Sequence, residues 1–233
     1  MTKNAKTLRV KGVTAPLEVA RGRQKHMNLR INPRSGIVHV TAPYYTPAAE
    51  IENFIRKNRD WLNDHLAVLP EAVPFADGAE VPLIGQRRVL RHNAGQVGVH
   101  DEGNRLLVGG DIAFFERRVR DYMVARARRE ITMRARFYAS QVGKRIAAIT
   151  IRDTTSRWGS CSTGGRLSFS WRLVMAPLHV LDYVVAHEVA HLVHMNHSPA
   201  FWSLVTDMVG EHAAAKKWLV QHGGRLMRYG SND

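Results

Sequence analysis

The hydrophobic residues of the N-terminal part of the chain follow two different periods. Three short segments, TLRVKG, HMNLRIN and GIVHVTA, are rich in alternating and β-branched residues, and the turn-forming letters PRSG join the last two. They predict strands, the last two as a hairpin. The next segment, TPAAEIENFIRKNRDWLNDHL, has apolar residues near helical spacing. With Thr46 as N-cap and Pro47 at the first helical position, it predicts one helix packed on the strands.

The middle of the chain changes from strand-like to helical pattern at Asp111. Between Pro70 and Gly110, glycine and proline surround four strand candidates, EVPLIG, RRVLRH, QVGVHD and NRLLVGG, which predict a second small antiparallel sheet. From Asp111 to about Val142 the spacing predicts one long amphipathic helix. Its polar side is rich in arginine: Arg117, Arg118, Arg120, Arg126, Arg128, Arg129, Arg134 and Arg136.

The C-terminal part combines two strand candidates with three helices. RIAAITIRD and RLSFSWRLV predict strands, and the loop TTSRWGSCSTGG lies between them. The helices are predicted from Pro177 to about Met195, from Ser198 to about Val209, and near His212 to Gln221. The fold class is therefore α+β. A β-rich N-terminal domain with one helix, residues 1–110, precedes a helical module with a small sheet, residues 111–233.

The stretch VVAHEVAHLVHMNHSPAFW, which begins at Val184, places four histidines and one glutamate among strongly apolar residues. Its letters HEVAH form an HExxH motif. Residues four apart lie on one helix face, so His187 and His191 can reach one ion, and Glu188 can touch a ligand of that ion. The apolar surroundings favour metal binding, because a buried polar cluster without partners is costly and coordination removes that cost.

A catalytic zinc ion needs a third protein ligand and an open position for water. His197 is favoured, because the chain can turn back at Asn196, which tolerates a left-handed conformation. His194 would extend the same helical row, and Glu211 would return across a further helix. Both stay open as alternatives. The spacing thus predicts one zinc ion per chain.

Composition and charge describe a basic, folded protein. The chain has 233 residues, 45% of them hydrophobic, and a net charge of 34 − 20 = +14, which attracts polyanions such as nucleic acid. There is one cysteine, Cys161, and no apolar core of a signal peptide, so a reducing, cytoplasmic location is expected. No apolar run is long enough to span a membrane, and no membrane partner is expected.

The segment RWGSCSTGGRLSFSWRLVMAPLHVLDYVVAHEVAHLVHMNHSPAFW, residues 157–202, resembles the signature of the YgjP-like, SprT-related zinc metallopeptidase family. The resemblance extends more weakly along the whole chain. It implies a zincin-like domain over residues 111–233, with His187, His191 and His197 as zinc ligands and Glu188 as general base. Ser170 departs from the pattern, since many relatives have asparagine there, and this affects the rim strand but not the metal site.

The implied reaction is hydrolysis of a peptide or protein substrate by a zinc-bound water that Glu188 activates. The residue that stabilises the oxyanion stays open among Arg157, Arg172, His212 and Tyr229. Two other functions are compatible with the sequence. One is metal-dependent hydrolysis of a nucleotide phosphoanhydride, with arginines holding the phosphates. The other is a DNA-associated protease that the basic helix anchors to nucleic acid.

Overall fold

A computed structural model of the protein describes residues 6–231, and the outermost parts of the predicted domains, residues 1–5 and 232–233, lie outside it. Contacts define two compact units, which adjoin in sequence at Ala72 and Val73. We call them the N-terminal unit and the C-terminal unit. Each has its own hydrophobic core. The described chain mixes helices with three small sheets, which confirms the predicted α+β class.

The division into units differs from the predicted boundary at residue 110. The strands between residues 80 and 109 carry buried side chains such as Val81, Leu90 and Leu106, and these share one core with Phe115 in the following helix. A small sheet buries its apolar face only against another element. Here the long helix contacts the sheet, so sheet and helix belong to the same unit.

The N-terminal unit is one sheet with two helices. Its elements are β1 (Lys6–Leu8), β2 (Leu17–Gly22), β3 (Asn28–Ile31), β4 (Val38–Pro43), α1 (Ala48–Lys57) and α2 (Arg59–Ala67). The sheet order is β1-β2-β4-β3, with β3 and β4 antiparallel, as the predicted hairpin requires. Strands β2 and β4 pair in parallel. The buried residues of β4 and α1 pack together in this core.

The helix predicted from Thr46 is in fact two helices. Asn58 ends α1: its backbone leaves the helical conformation at φ −102° and ψ 12°, its N–H is shared between the carbonyls of Phe54 and Ile55, and its side chain donates to the Phe54 carbonyl at 2.8 Å. Its own carbonyl accepts from Leu62 in α2. Thr46 is not the N-cap. The extended residue before α1 is Pro47, which offers no capping side chain.

The C-terminal unit holds two sheets and four α-helices among its described residues. Its elements are β5 (Glu80–Leu83), β6 (Gln86–Asn93), β7 (Val99–Asp101), β8 (Arg105–Gly109), α3 (Phe115–Gln141), β9 (Ala148–Arg152), β10 (Gly159–Cys161), β11 (Arg166–Ser170), α4 (Leu178–Ala190), α5 (Pro199–Val209) and α6 (Ala213–Arg228). The orders are β5-β6-β8-β7 and β10-β11-β9. The first sheet is mixed and not antiparallel as predicted, because β8 lies inside its hairpin with β7 and pairs in parallel with β6.

Several boundaries in the C-terminal unit differ from the sequence pattern. The long helix begins at Phe115, after a 3₁₀ turn over Ile112–Phe114 that the Asp111 side chain caps. Strand β11 ends at Ser170, where a buried 3₁₀ turn, Trp171–Met175, continues the apolar run. The predicted loop between the last two strands contains β10, which pairs antiparallel with β11 at the sheet edge.

An ion-pair network joins α3 to α4, the helix that carries HEVAH. The carboxylate of Glu130, a residue only 8% exposed, has Arg126 at 2.9 Å and Arg134 at 2.6 Å. Arg134 also donates to Asp182 of α4 at 2.7 Å. Burial raises the pKa of Glu130, but the surrounding arginines outweigh it and leave this pKa below its ordinary value. Part of the predicted basic face is therefore used inside the protein.

Candidate metal centre

The helix that carries HEVAH is buried on nearly all sides, as its apolar sequence requires. It ends at Ala190, so the predicted continuation to Met195 is wrong. The reason is a tightened last turn, in which the N–H groups of Leu192 and Val193 donate to carbonyls three residues earlier. His191 therefore stands at the helix end, and the chain is free to turn immediately after it.

The segment after the helix returns toward His187 without a left-handed residue at Asn196, because Ile84 is the one non-glycine residue with positive φ in the described chain. The His191 ring instead anchors the turn, with its Nδ1 3.0 Å from the His194 carbonyl. Ser198 then caps α5, accepting from the Phe201 N–H at 3.4 Å. These two contacts fix His197 just before α5.

The structure brings His187, His191 and His197 together. One ring nitrogen of each lies within 4.8 Å of the others, and the Nε2 atoms of His187 and His197 are 3.2 Å apart. Two nitrogens bound to one tetrahedral ion at about 2.0–2.1 Å would lie about 3.3 Å apart. The bond from Nδ1 of His191 to a carbonyl leaves its Nε2 as the free lone pair. The donor set therefore fits a zinc ion.

The electrostatic environment also favours neutral histidines. Burial, together with the charges of the neighbouring His191 and His197, lowers the pKa of His187 to about 4. Burial likewise lowers the pKa of His191. Nδ1 of His187 is buried and has no hydrogen-bond partner among the described residues. Neutral imidazole is the form that binds a metal, so these rings are prepared for coordination.

Two aromatic rings, those of Phe201 and Trp202, pack against the histidine cluster. Phe201 is fully buried, and its ring centroid lies 5.0, 4.6 and 4.7 Å from those of His187, His191 and His197. Trp202 stacks on His197 at 5.5 Å. Sequence reasoning did not single out Phe201. Its position four residues after His197, in the first turn of a capped helix, is the signal that could have indicated it.

Glu188 lies beside the histidines and is only 6% exposed. Burial raises the pKa of its carboxyl to about 7, and Arg157 opposes this rise. Strand β10 packs directly on the carboxyl group: a Cβ added to Gly159 would lie 2.5 Å from Cγ and 2.6 Å from Oε1 of Glu188. Only glycine permits this approach. Gly159 is a second residue that sequence reasoning did not identify.

Cys161 follows on the same strand and is half-buried. Burial raises the pKa of its thiol, and the charge of Glu188 raises it further. The protonated thiol is a poor nucleophile at neutral pH.

The two alternative third ligands lie outside the histidine cluster. His194 contributes its backbone carbonyl, which accepts from His191, and its ring is not part of the cluster. Glu211 is exposed, and its Oε1 accepts from the Ala213 N–H at 2.6 Å at the start of α6. The Glu211 carboxylate therefore binds the first backbone N–H of α6.

The four oxyanion candidates separate by burial. Arg172 is fully buried and donates to Asp153 and to the carbonyls of Leu226 and Tyr229, so it joins α6 to the sheet. Tyr229 is 7% exposed. His212 stacks between Tyr183 and Trp202, whose rings both contact His187. Arg157 is exposed and acts electrostatically on Glu188. His212 and Arg157 are thus the two near the cluster.

Three clustered histidines beside a buried glutamate are the arrangement that metal-dependent hydrolases use. The chain belongs to the YgjP-like family, whose metallopeptidase domain matches residues 25–222. The crystal structure of the metallopeptidase zymogen of Pyrococcus abyssi abylysin aligns with 42% of this chain and 97% of its own, at 19% identity and a TM-score of 0.36. No curated protein matches the chain. None of the helices within residues 6–231 is long and apolar enough to cross a membrane.

Proposed function

We propose that the protein is a zinc-dependent metallopeptidase that hydrolyses peptide bonds in a peptide or protein substrate. His187, His191 and His197 hold one zinc ion per chain, and Glu188 is the general base. The observation that carries the proposal is the group of three histidine nitrogens within 4.8 Å of one another, with the buried carboxyl of Glu188 beside them. The family's metallopeptidase domain supports the same reaction class.

Zinc suits this donor set because three neutral nitrogens leave one position open. When bound, zinc supplies a Lewis acid and lowers the pKa of water to about 7. Phe201 is fully buried and contacts all three histidine rings, so it packs on the interior side of the proposed site.

Glu188 moves the proton. It takes a proton from the attacking water and delivers it to the amine that leaves when the peptide bond breaks. The charge of a bound zinc ion would oppose the burial that raises the pKa of this carboxyl, so the ionised form that accepts the proton is favoured in the loaded site. The backbone of β10 at Gly159 packs against the carboxyl group of Glu188 and limits the rotation of this side chain.

The test compares zinc content and hydrolysis in matched variants. Purified protein should contain about one zinc per chain, and His187→Ala or His191→Ala should lose it. Glu188→Gln should keep zinc and the fold while its hydrolysis of an unfolded protein falls by roughly a hundredfold or more. Full zinc content in both histidine variants would contradict the site, and unchanged turnover in Glu188→Gln would place the base elsewhere.

The same preparations distinguish peptide hydrolysis from phosphoanhydride hydrolysis. We expect chelator-sensitive cleavage of the unfolded protein and none of nucleoside triphosphates. The opposite result would replace a peptidase by a nucleotide hydrolase. The ion pairs of α3 hold Arg120, Arg126 and Arg134 within the fold, which leaves only part of the basic face for a nucleic-acid anchor.

A further inference from the structure

A polar pocket of about 290 Å³ adjoins the histidine cluster, because His191 lines it. The pocket lies where three segments meet: the chain after α3, the turn between β10 and β11, and the end of α4. Its polar lining consists of Lys144, Arg145, Ser162 and Thr163. A group bound there would lie next to the metal centre.

Backbone contacts hold the pocket in shape. The turn between β10 and β11 is closed by hydrogen bonds from Gly165 N–H to the Ser162 carbonyl and from Arg166 N–H to the Ser162 hydroxyl oxygen, at 2.9 and 3.1 Å. Gly165 accepts from Ala147 at 2.9 Å, which joins the turn to the segment after α3. At φ +71°, Gly165 has a backbone that other residues adopt only with strain. The pocket is thus preformed.

The lining carries positive charge without a counter-charge. No carboxylate lines the pocket, and within residues 6–231 neither Lys144 nor Arg145 has an acidic group at ion-pair distance. This differs from α3, where Arg126 and Arg134 are paired with Glu130. Two cations with two hydroxyl groups are a donor set that suits a carboxylate.

We propose that this pocket is a specificity subsite that binds a carboxylate of the substrate close to the bond that is cleaved. The inference rests on the proposed peptidase function, since it assigns the substrate of the same site. His191 lines the pocket and is also a member of the histidine cluster, so a carboxylate in the pocket lies near the cleaved bond. It belongs to an aspartate or glutamate side chain of the substrate, or to the C-terminus of the peptide.

The first experiment maps the cleavage sites that the full-length, zinc-loaded protein produces in an unfolded protein, by mass spectrometry. Aspartate and glutamate should be enriched over asparagine and glutamine at one fixed position, by roughly tenfold. The variant Lys144→Gln/Arg145→Gln should lose the enrichment and still cut at other sites, because both side chains are exposed. The enrichment should also fall at high salt.

A matched control removes equal charge elsewhere. Arg128 and Lys217 are exposed and lie outside the pocket lining, so Arg128→Gln/Lys217→Gln should keep the enrichment. If both double variants lose it, the net charge of the protein and not the pocket selects acidic substrates. If wild-type protein has no acidic preference, the inference is wrong. Peptides with free and amidated C-termini distinguish a terminal from a side-chain carboxylate.

A binding experiment separates failure of the subsite from failure of the proposed function. The zinc-loaded Glu188→Gln variant is titrated into a labelled unstructured peptide with one central glutamate and into its glutamine twin, with fluorescence anisotropy as the readout. Tighter binding of the glutamate peptide, lost on adding Lys144→Gln/Arg145→Gln, supports the subsite even if wild-type protein hydrolyses no peptide. Equal binding of the two peptides would overturn it.

Discussion

At the scale of single residues, Gly159 allows β10 to approach the carboxyl group of Glu188 closely. Pairing of Gly159 with Phe169 and of Ser160 with Ser168 fixes the register of this edge strand on β11. The strand cannot move away from Glu188 without breaking that pairing. The glycine at the first position of this edge strand thus leaves room for the carboxyl group.

We predict that Gly159→Ala lowers peptide hydrolysis by roughly tenfold to a hundredfold while zinc content stays near one per chain. The added Cβ would lie 2.5 Å from Cγ of Glu188, so the carboxyl must shift, whereas the histidines need not. Gly224→Ala is the control, since its Cβ would meet no described atom within 4 Å. Wild-type turnover in Gly159→Ala would show that the carboxyl does not need this position.

The third ligand is the second question at this scale. We expect His197→Ala to weaken zinc binding by more than about a hundredfold in a chelator competition. His194→Ala should have little effect, because the backbone carbonyl that accepts from His191 remains. Glu211→Ala should remove one hydrogen bond at the exposed start of α6, at a cost of about 0.5–1.5 kcal/mol in stability, without changing zinc affinity. Strong weakening in Glu211→Ala but not in His197→Ala would make the site His-His-Glu.

Sequence reasoning reached some of these residues and not others. HEVAH puts two histidines on one helix face by spacing alone, and the glutamate follows from the same motif. Gly159 and Phe201 were missed because their roles are tertiary contacts. The role of Gly159 depends on an edge strand that meets a helix far along the chain. The role of Phe201 depends on where the helix that carries HEVAH ends and the next helix begins.

At the scale of elements, an ion-pair network attaches α4, the helix that carries HEVAH, to α3. Glu130 holds Arg126 and Arg134, and Arg134 reaches Asp182 of α4. Removing the central carboxylate leaves Arg126 without an ion-pair partner among the described residues and leaves Arg134 with Asp182 alone, which is costly in a partly buried place.

We predict that Glu130→Gln lowers the free energy of unfolding by about 1–3 kcal/mol at neutral pH. The folded-state pKa of Glu130 lies below its ordinary value of 4.5, so the charged form contributes stability above that value. As pH falls through the lowered pKa, Glu130 is protonated and the difference between the variant and wild type should shrink. Urea unfolding at neutral and acidic pH measures the difference in stability between the two proteins. A difference that does not change with pH would contradict the prediction.

Glu116→Gln provides the matched control for that experiment. Its partner Arg120 is also one helical turn away, but the carboxylate side chain is 41% exposed. Solvent screens such a pair, so its loss should change stability by less than about 1 kcal/mol.

Helix and strand positions could largely be predicted from periodicity, but their ends and neighbours could not. The break at Asn58 depends on backbone hydrogen bonds that leave the apolar spacing intact. The parallel pairing of β6 with β8 depends on which arm of a hairpin lies inside the sheet. A period of two specifies which side chains share a face of the strand, but it does not specify which strand pairs with it.

At the scale of the whole molecule, every residue of the proposed site lies in the C-terminal unit, which has a core separate from that of the N-terminal unit. Two units with separate cores need not unfold in one step. A ligand that binds only the folded form stabilises the unit that holds it. Zinc should therefore stabilise the C-terminal unit.

We predict that a chelator lowers the melting temperature of the C-terminal unit and leaves that of the N-terminal unit unchanged. Free zinc at a hundred times its dissociation constant contributes about 2.7 kcal/mol. For a unit of this size that corresponds to roughly 5–10 °C. Scanning calorimetry with and without chelator measures the shift. Because Glu188 is proposed to move a proton and not to bind zinc, Glu188→Gln should keep the full shift, while His191→Ala should abolish it. A shift that survives in His191→Ala would place the stabilising ion at some other site.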